Sequence, residues 1–249
     1  MNTVLGIDVG ATGMKGAPVD ITSGQLTGER HKIPTPDGGD PDDMLQVIQQ
    51  LVDHFDMSGK PVGIGFPAVI KDGLCLTATN IDKRWINYPI QKVISDRLGA
   101  PTHILNDADA AGQAEISFGR GKGIAGTVML LTLGTGIGSA IFKNGSLLRN
   151  TELGQMIYKG ERAEMLVSNS ARKREDMSWE TYGEALGGYL RYVNGLFYPD
   201  LIILGGGISK KFKNYQGGFQ DLTNVVPATQ LNNAGIVGAA MAAGLGNSD

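Results

Sequence analysis

Cysteine is almost missing from this chain. Cys75 is the only one, which excludes an intramolecular disulfide and any cysteine-cluster zinc site. Positive charge is not in excess either: Lys and Arg number 22 against 25 Asp and Glu, a net charge of −3. A long polyanion would need a local basic groove, and nucleic acid is not expected as a partner. No apolar run approaches membrane-spanning length, and the N-terminus lacks a basic region followed by an apolar one. The expectation is a soluble, cytoplasmic protein with no membrane partner. Nothing matches G-x-x-x-x-G-K-[ST], and there is no protein-kinase catalytic loop. Glycine, by contrast, is abundant at 37 of 249 residues, about twice the usual share, so tight turns and close backbone approaches to a ligand are expected. The 41% of hydrophobic residues suffice for one substantial core or two modest ones.

Residues 4–9 read as a buried strand and 14–19 as a second, joined by Gly10-Ala11-Thr12-Gly13. A strand after the glycines, where a Rossmann start needs a helix, excludes that fold. The hairpin tip offers backbone N–H groups and the Thr12 hydroxyl to an anion, with Lys15 close behind; an ordinary glycine-rich hairpin would read the same way. Residues 127–133, the turn Gly134-Thr135-Gly136-Ile137-Gly138 and a strand at 139–142 repeat the unit. Two similar halves facing one cleft are therefore expected. Between the turns lies Asn106-Asp107-Ala108-Asp109. Residues 102–105 predict a strand and 108–118 a helix ending at Gly119. That puts Asp107 at a strand-to-helix junction, where α/β folds keep their chemistry. A helix cap supplied by Asp107 or Asp109 is the plainer alternative.

The remaining segments fill in an α/β pattern. Residues 31–40 read as a loop, after which Asp40 caps a helix with Pro41 at its first position. A strand is expected at 62–66, a hairpin around Asp72-Gly73, a polar loop at 80–85 and a helix over 88–98. Further on come a loop holding Glu152-Leu153-Gly154-Gln155, a charged stretch at 161–174 and a long helix capped by Ser178. A strand at 201–204 runs into Gly205-Gly206-Gly207, followed by Lys210, Lys211 and Lys213, and 235–244 predicts a small-residue helix.

Two anion-cradling turns, a carboxylate between them and a glycine platform for a flat group add up to phosphoryl transfer. An in-line transfer needs positioning, charge neutralisation by Mg²⁺ and a group to accept the proton of the attacking hydroxyl. Asp8-Val9-Gly10-Ala11-Thr12-Gly13 resembles the first phosphate motif of the actin, hexokinase and heat-shock-chaperone ATPase superfamily. Leu133-Gly134-Thr135-Gly136-Ile137-Gly138 resembles the second, and Leu204-Gly205-Gly206-Gly207 the adenosine motif. Asn106-Asp107 with Glu152-Leu153-Gly154 narrows the resemblance to the ROK group of sugar kinases and repressors. Asn80-Ile81-Asp82-Lys83, Asn150-Thr151, Ala163-Glu164 and the stretches 106–112, 132–139, 205–211 and 234–240 are similar to the polyphosphate-using glucokinases of that group.

The resemblance implies two ribonuclease-H-like halves around a central cleft: residues 1–106 with a returning segment 235–249, and residues 107–234. It implies phosphoryl transfer from inorganic polyphosphate, ATP or both to the 6-hydroxyl of glucose or a close hexose. Asp107 would be the general base, and Asn80, Asn106, Glu152, Gln155 and Glu164 would bind the sugar. Asp8 would hold Mg²⁺ through water, while Gly10, Thr12, Gly13, Lys15, Thr132, Gly134, Thr135 and Gly136 would hold phosphate. Gly206 and Gly207 would flank a nucleotide base. A polyphosphate donor would want a basic track, which Lys83, Lys210 and Lys211, with Arg84 and Lys213, could supply; for each alone a solvated surface charge reads the same way. No structural zinc is implied, and the family habit implies a homodimer. The chain departs from the family pattern at Gln155, where His is usual, and at Ala11, Ala68 and Arg84. An ATP-only hexokinase is the nearest alternative. A sugar-binding protein without catalysis is another. A sugar-responsive repressor would need a helix-turn-helix segment, which a chain opening on the strand at residue 4 is not expected to hold.

Overall fold

The first hairpin closes where the glycines allow it. Strands β1 (Thr3–Gly10) and β2 (Gly13–Asp20) pair antiparallel from Thr3↔Asp20 to Gly10↔Gly13, leaving residues 11 and 12 as the turn. The computed structural model describes residues 2–245. Strands β3 (Gln25–Leu26) and β4 (His31–Ile33) both pair with β2. Next come α1 (Pro41–His54), β5 (Val62–Phe66), a short hairpin of β6 (Ile70–Lys71) and β7 (Leu74–Cys75), α2 (Ile90–Leu98), β8 (Thr102–Asn106) and α3 (Asp107–Phe118). β5 runs parallel to β1, and β8 parallel to β5, so the sheet order is β3-β2-β1-β5-β8.

The same plan is then laid down again. β9 (Thr127–Leu133), β10 (Ile137–Lys143) and β11 (Ser146–Leu148) form an antiparallel meander. A small hairpin of β12 (Ile157–Tyr158) and β13 (Glu161–Arg162) leads into the short helices α4 (Ala163–Val167) and α5 (Asn169–Arg174) and the long α6 (Trp179–Phe197). β14 (Leu201–Gly205), α7 (Phe212–Tyr215) and β15 (Val225–Pro227) follow, before α8 (Ala234–Leu245). β14 is parallel to β9 and β15 parallel to β14, giving the order β11-β10-β9-β14-β15. Strand for strand, this is the arrangement of the first sheet.

The chain divides into two compact units, Met1–Phe118 with Asn233–Asp249, and Gly119–Asn232. The four residues closing the expected 235–249 segment, and Met1, lie outside the described residues. Each unit has its own core. In the first, Met44, Ile48, Leu51 and Val52 from α1 pack on Leu5, Ile7 and Ile64 of the sheet. Asp40 caps α1 as expected, its side chain accepting from the Asp42 and Asp43 N–H groups, with Pro41 at the first position. In the second unit, Leu186, Tyr189, Leu190 and Val193 from α6 pack on Met129, Leu131, Ile202 and Leu204. Ser178 caps α6 by accepting from Thr181 N.

The sequence expectations need three corrections, and one stretch they left without secondary structure is filled in. Helix α3 belongs to the first unit, so the chain leaves that unit after Phe118 and not after Asn106. The reason is packing: a Cβ on Gly238 of α8 would lie 1.6 Å from the Ala110 carbonyl oxygen of α3, and one on Gly63 of β5 1.8 Å from the Ala239 oxygen. Backbone meets backbone there, which only glycine permits. Helix α2 starts at Ile90 and not at 88, because Tyr88 precedes a proline and that position disfavours helix. The loop expected at 31–40 opens with strand β4. The charged stretch at 161–174 folds as β13, α4 and α5, with Ser168 capping α5.

Candidate active site

Because β1, β5 and β8 are parallel, their C-terminal ends reach one edge of the first sheet. Asp8 lies in register with Gly65, and Gly65 with Leu105, one residue short of the strand end; Asp107 then opens α3. A Cβ at Gly65 would lie 3.6 Å from the Asp107 Cα, so the bare glycine leaves space beside that residue. The cap of α3 is neither Asp107 nor Asp109. Asn106 serves instead, its Oδ1 accepting from Ala108 N at 2.9 Å and Asp109 N at 3.2 Å while its Nδ2 donates to the Ala68 carbonyl at 3.3 Å. Asp107 is half-buried and its Oδ1 accepts from Ala108 N at 2.8 Å. The capping job is therefore filled by the residue before it.

Asp8 is half-buried with Lys15 Nζ 3.2 Å from its Oδ2. A Cβ on Gly235 would lie 2.8 Å from its Oδ1, so the first turn of α8 lies against this carboxylate. The positive end of a helix suits a negative charge there. Among the described residues no group of three or more His, Cys, Asp or Glu is placed to hold a metal. Mg²⁺ that is shared with donor phosphates keeps several waters and needs only one or two carboxylates, which Asp8 satisfies. At the turn itself Thr12 is exposed, and Thr35 Oγ1 donates to the Gly10 carbonyl at 2.5 Å, pinning its base.

The loop at 80–85 is anchored from below. Trp85 is fully buried and its Nε1 donates to the Gly39 carbonyl at 2.8 Å. Asn80 stays exposed. Arg84 is paired with both Asp40 and Asp82, which offsets its charge, and the Lys83 ammonium donates to the Ala78 carbonyl.

In the second unit, Thr132 pairs with Gly138, the pairing ends one residue on at Leu133↔Ile137, and Gly134, Thr135 and Gly136 form the turn, Thr135 exposed. Gly134 N donates to Gly136 O at 3.0 Å, and Ser170 N at the start of α5 donates to Gly134 O at 3.1 Å. A Cβ on Gly136 would fall 2.4 Å from Glu164 Oε2, so a carboxylate expected to bind sugar stands against a turn expected to bind phosphate. Gln155 Nε2 donates to Glu164 Oε1 at 2.9 Å, and Arg162 Nη1 donates to Gln155 Oε1 at 3.2 Å and lies 3.3 Å from Glu164 Oε1. Gln155, for all its departure from the family pattern, is a working link in this chain of contacts.

Glu152 is set by its neighbours in sequence. Ser139 Oγ accepts from Leu153 N at 2.9 Å and donates to the Thr151 carbonyl at 2.6 Å, while Tyr189 OH donates to Leu153 O at 2.9 Å. Gly154 must be glycine, since a Cβ would lie 2.3 Å from Ile137 O. The surrounding protein, by excluding water, raises the Glu152 carboxyl above its ordinary 4.5, and the Glu164 charge adds to the effect. Gly206 has φ +79°, and a Cβ there would lie 2.6 Å from Leu133 O. Its bareness serves the packing of its own chain; Gly207 faces open space. Lys210, Lys211 and Lys213 are exposed and make no ion pair among the described residues.

The structure thus gathers Asp8, Gly10, Thr12, Gly13, Lys15, Asn80, Lys83, Asn106 and Asp107 in the first unit, and Thr132, Gly134, Thr135, Gly136, Glu152, Gln155, Glu164, Gly206, Gly207, Lys210 and Lys211 in the second. Sequence reasoning gave no role to Ser139, Tyr189 or Arg162. Each acts through a contact with no fixed spacing, so no motif could have announced it.

Two sheets of identical strand order, each with a glycine turn at the end of its first hairpin, define the actin/hexokinase-like class of fold. Within that class the chain belongs to the ROK family, whose model matches residues 4–161. It is 43% identical over 238 residues to a polyphosphate glucokinase of Mycobacterium tuberculosis (strain CDC 1551 / Oshkosh), covering 95% of this chain and 89% of the relative. The crystal structure of an inorganic polyphosphate/ATP-glucomannokinase from Arthrobacter sp. strain KM superposes with a TM-score of 0.95 at 42% identity, over 99% of this chain and 100% of that one. A ROK family glucokinase from Streptomyces griseus, solved with glucose and AMPPNP, shares the fold at TM-score 0.83 and 23% identity, over 97% and 99% of the two chains. No helix among the described residues is long and apolar enough to cross a membrane.

Proposed function

We propose that the chain is a sugar kinase that moves a phosphoryl group from inorganic polyphosphate or ATP to the 6-hydroxyl of glucose or a close hexose. The observation that carries this reading is the placement of Asp107, which opens α3 at the sheet edge it shares with Asp8 and the first glycine turn. The 43% identity to a polyphosphate glucokinase supports the donor and the sugar, and the glucomannokinase likeness brings mannose among the hexoses to test.

Asp107 accepts the proton of the attacking hydroxyl. Asn80, Glu152 and Glu164 engage other hydroxyls, with Gln155 and Arg162 holding Glu164 in place; several polar groups in fixed geometry are what separate one epimer from another. Asn106 contributes through its amide, since its carbonyl oxygen caps α3. Donor phosphates lie against the backbone N–H groups of the two turns, with Thr12, Lys15, Thr132 and Thr135 beside them. Mg²⁺ held at Asp8 would supply neutralising charge on the donor. A nucleotide base would use Gly207, which is open, in preference to Gly206. Lys83, Lys210 and Lys211, with Lys213, are the cations proposed for a polyphosphate track; Arg84 is committed to Asp40 and Asp82. By family analogy the protein works as a homodimer in the cytoplasm.

The test is a coupled assay on glucose and mannose with Mg²⁺ and polyphosphate, ATP or no donor. Asp107→Asn is expected to lower kcat by about 10²–10⁴-fold, the range of general-base contributions. A variant within a few-fold of wild type would remove Asp107 from this role, and no turnover by wild type with any donor would remove the kinase reading.

A further inference from the structure

Lys15 has a cationic neighbour that no motif announces. In the pairing of β2 with β4, Lys32 stands directly opposite Lys15, so the two side chains rise from the same face of the sheet. Like charges in directly opposed positions destabilise an antiparallel pair. Lys15 is relieved by Asp8 at 3.2 Å. Lys32 is exposed and has no carboxylate within ion-pair distance among the described residues. Its stem lies across the first glycine turn: a Cβ on Gly13 would fall 2.0 Å from Lys32 Cε and 3.1 Å from its Nζ. On the other side of the turn, a Cβ on Gly10 would lie 3.7 Å from Lys15 Nζ. The bare glycines at 10 and 13 thus leave the turn bordered by two ammonium groups, one already neutralised and one not.

We propose that Lys32 is a donor-binding residue, its ammonium holding a donor phosphate at the first glycine turn beside the one met by Lys15. The inference rests on the reading that this turn receives a phosphoryl donor. An anion there supplies the charge that the Lys15–Lys32 pair lacks, which accounts for a lysine kept opposite another. Because the contact is charge-assisted and made to the donor in ground and transition state alike, its loss acts on donor affinity more than on turnover.

The experiment compares wild type, Lys32→Gln and Lys32→Arg at low ionic strength, with melting temperatures confirming that all three fold. For Lys32→Gln we expect the KM for the donor, polyphosphate or ATP, to rise about tenfold. The expected kcat stays within a few-fold and the glucose KM does not change. Lys32→Arg restores most of the affinity, and the gap between wild type and Lys32→Gln narrows as salt screens the charge. A donor KM within twofold of wild type for every donor, or a fall in kcat with donor KM unchanged, overturns the proposal. If wild type turns over no donor, the kinase reading fails separately. Calorimetry with inorganic tripolyphosphate then decides Lys32 alone: weaker binding by Lys32→Gln supports it, and equal binding defeats it.

Discussion

The two glycine turns occupy the same place in two sheets of the same strand order, yet they are dressed with opposite charge. The first closes directly from Gly10 to Gly13 and is bordered by Lys15 and Lys32, with Asp8 behind. The second spans Gly134 to Gly136 and has the Glu164 carboxylate against it, tied through Gln155 to Arg162. Strand order decides where a turn falls. What the turn can bind is decided by side chains that neighbouring elements deliver to it, β4 in one case and α4 in the other. Repetition of the fold has not repeated the surroundings: one turn is bordered by two ammonium groups, the other by a carboxylate.

Breaking the charge balance of the first turn should have the largest effect on this contrast. Asp8→Asn removes the partner of Lys15 and the carboxylate proposed for Mg²⁺, and kcat/KM is expected to fall by on the order of 10²-fold, as when one preorganised electrostatic group is lost. Steady-state kinetics across Mg²⁺ concentrations would show it, and unchanged values would deny Asp8 that place. The second turn can be loosened without touching a charge. Ser139→Ala leaves the buried Leu153 N–H without its acceptor, which costs roughly 1–3 kcal/mol of stability. Chemical denaturation measures that loss, and a rise in sugar KM with donor KM constant would locate the damage at Glu152. The smallest effect is a pH dependence confined to the second turn. Because the Glu152 carboxyl is raised in the folded state, its ionisation weighs against folding; the penalty is present above the raised value and disappears as pH falls below 4.5. Glu152→Gln should therefore melt slightly higher than wild type at neutral pH, with the difference vanishing on acidification. A difference independent of pH would contradict the assignment.

What could be read in the sequence was whatever depends on local pattern. Asp40-Pro41 announces the start of α1 because capping and proline placement are local, and both turns are visible because glycine there answers a backbone demand. Helices α4 and α5, with five and six residues, are too short to show an apolar period and vanish into a charged stretch. The assignment of α3 to the second half failed for a different reason. Its alanines pack on α8, which lies beyond the entire second unit in the chain, and no local signal carries that information. Lys32 was hidden twice, in a strand read as loop and in a role that depends on crossing from one strand to the next.

Helix α8 also dictates an order of assembly. The first unit is built from both sides of an uninterrupted second unit, and its sheet is covered by a helix made after that second unit. Gly6 approaches the Ile236 backbone so closely that a Cβ would lie 2.0 Å from its carbonyl oxygen, a contact between residues far apart in the chain. Contacts of such long range form late and slow folding. On the ribosome the second unit can therefore complete its core while the first waits with the α8-facing side of β1 and β5 uncovered. The first part of the chain to be made would be the last to become native.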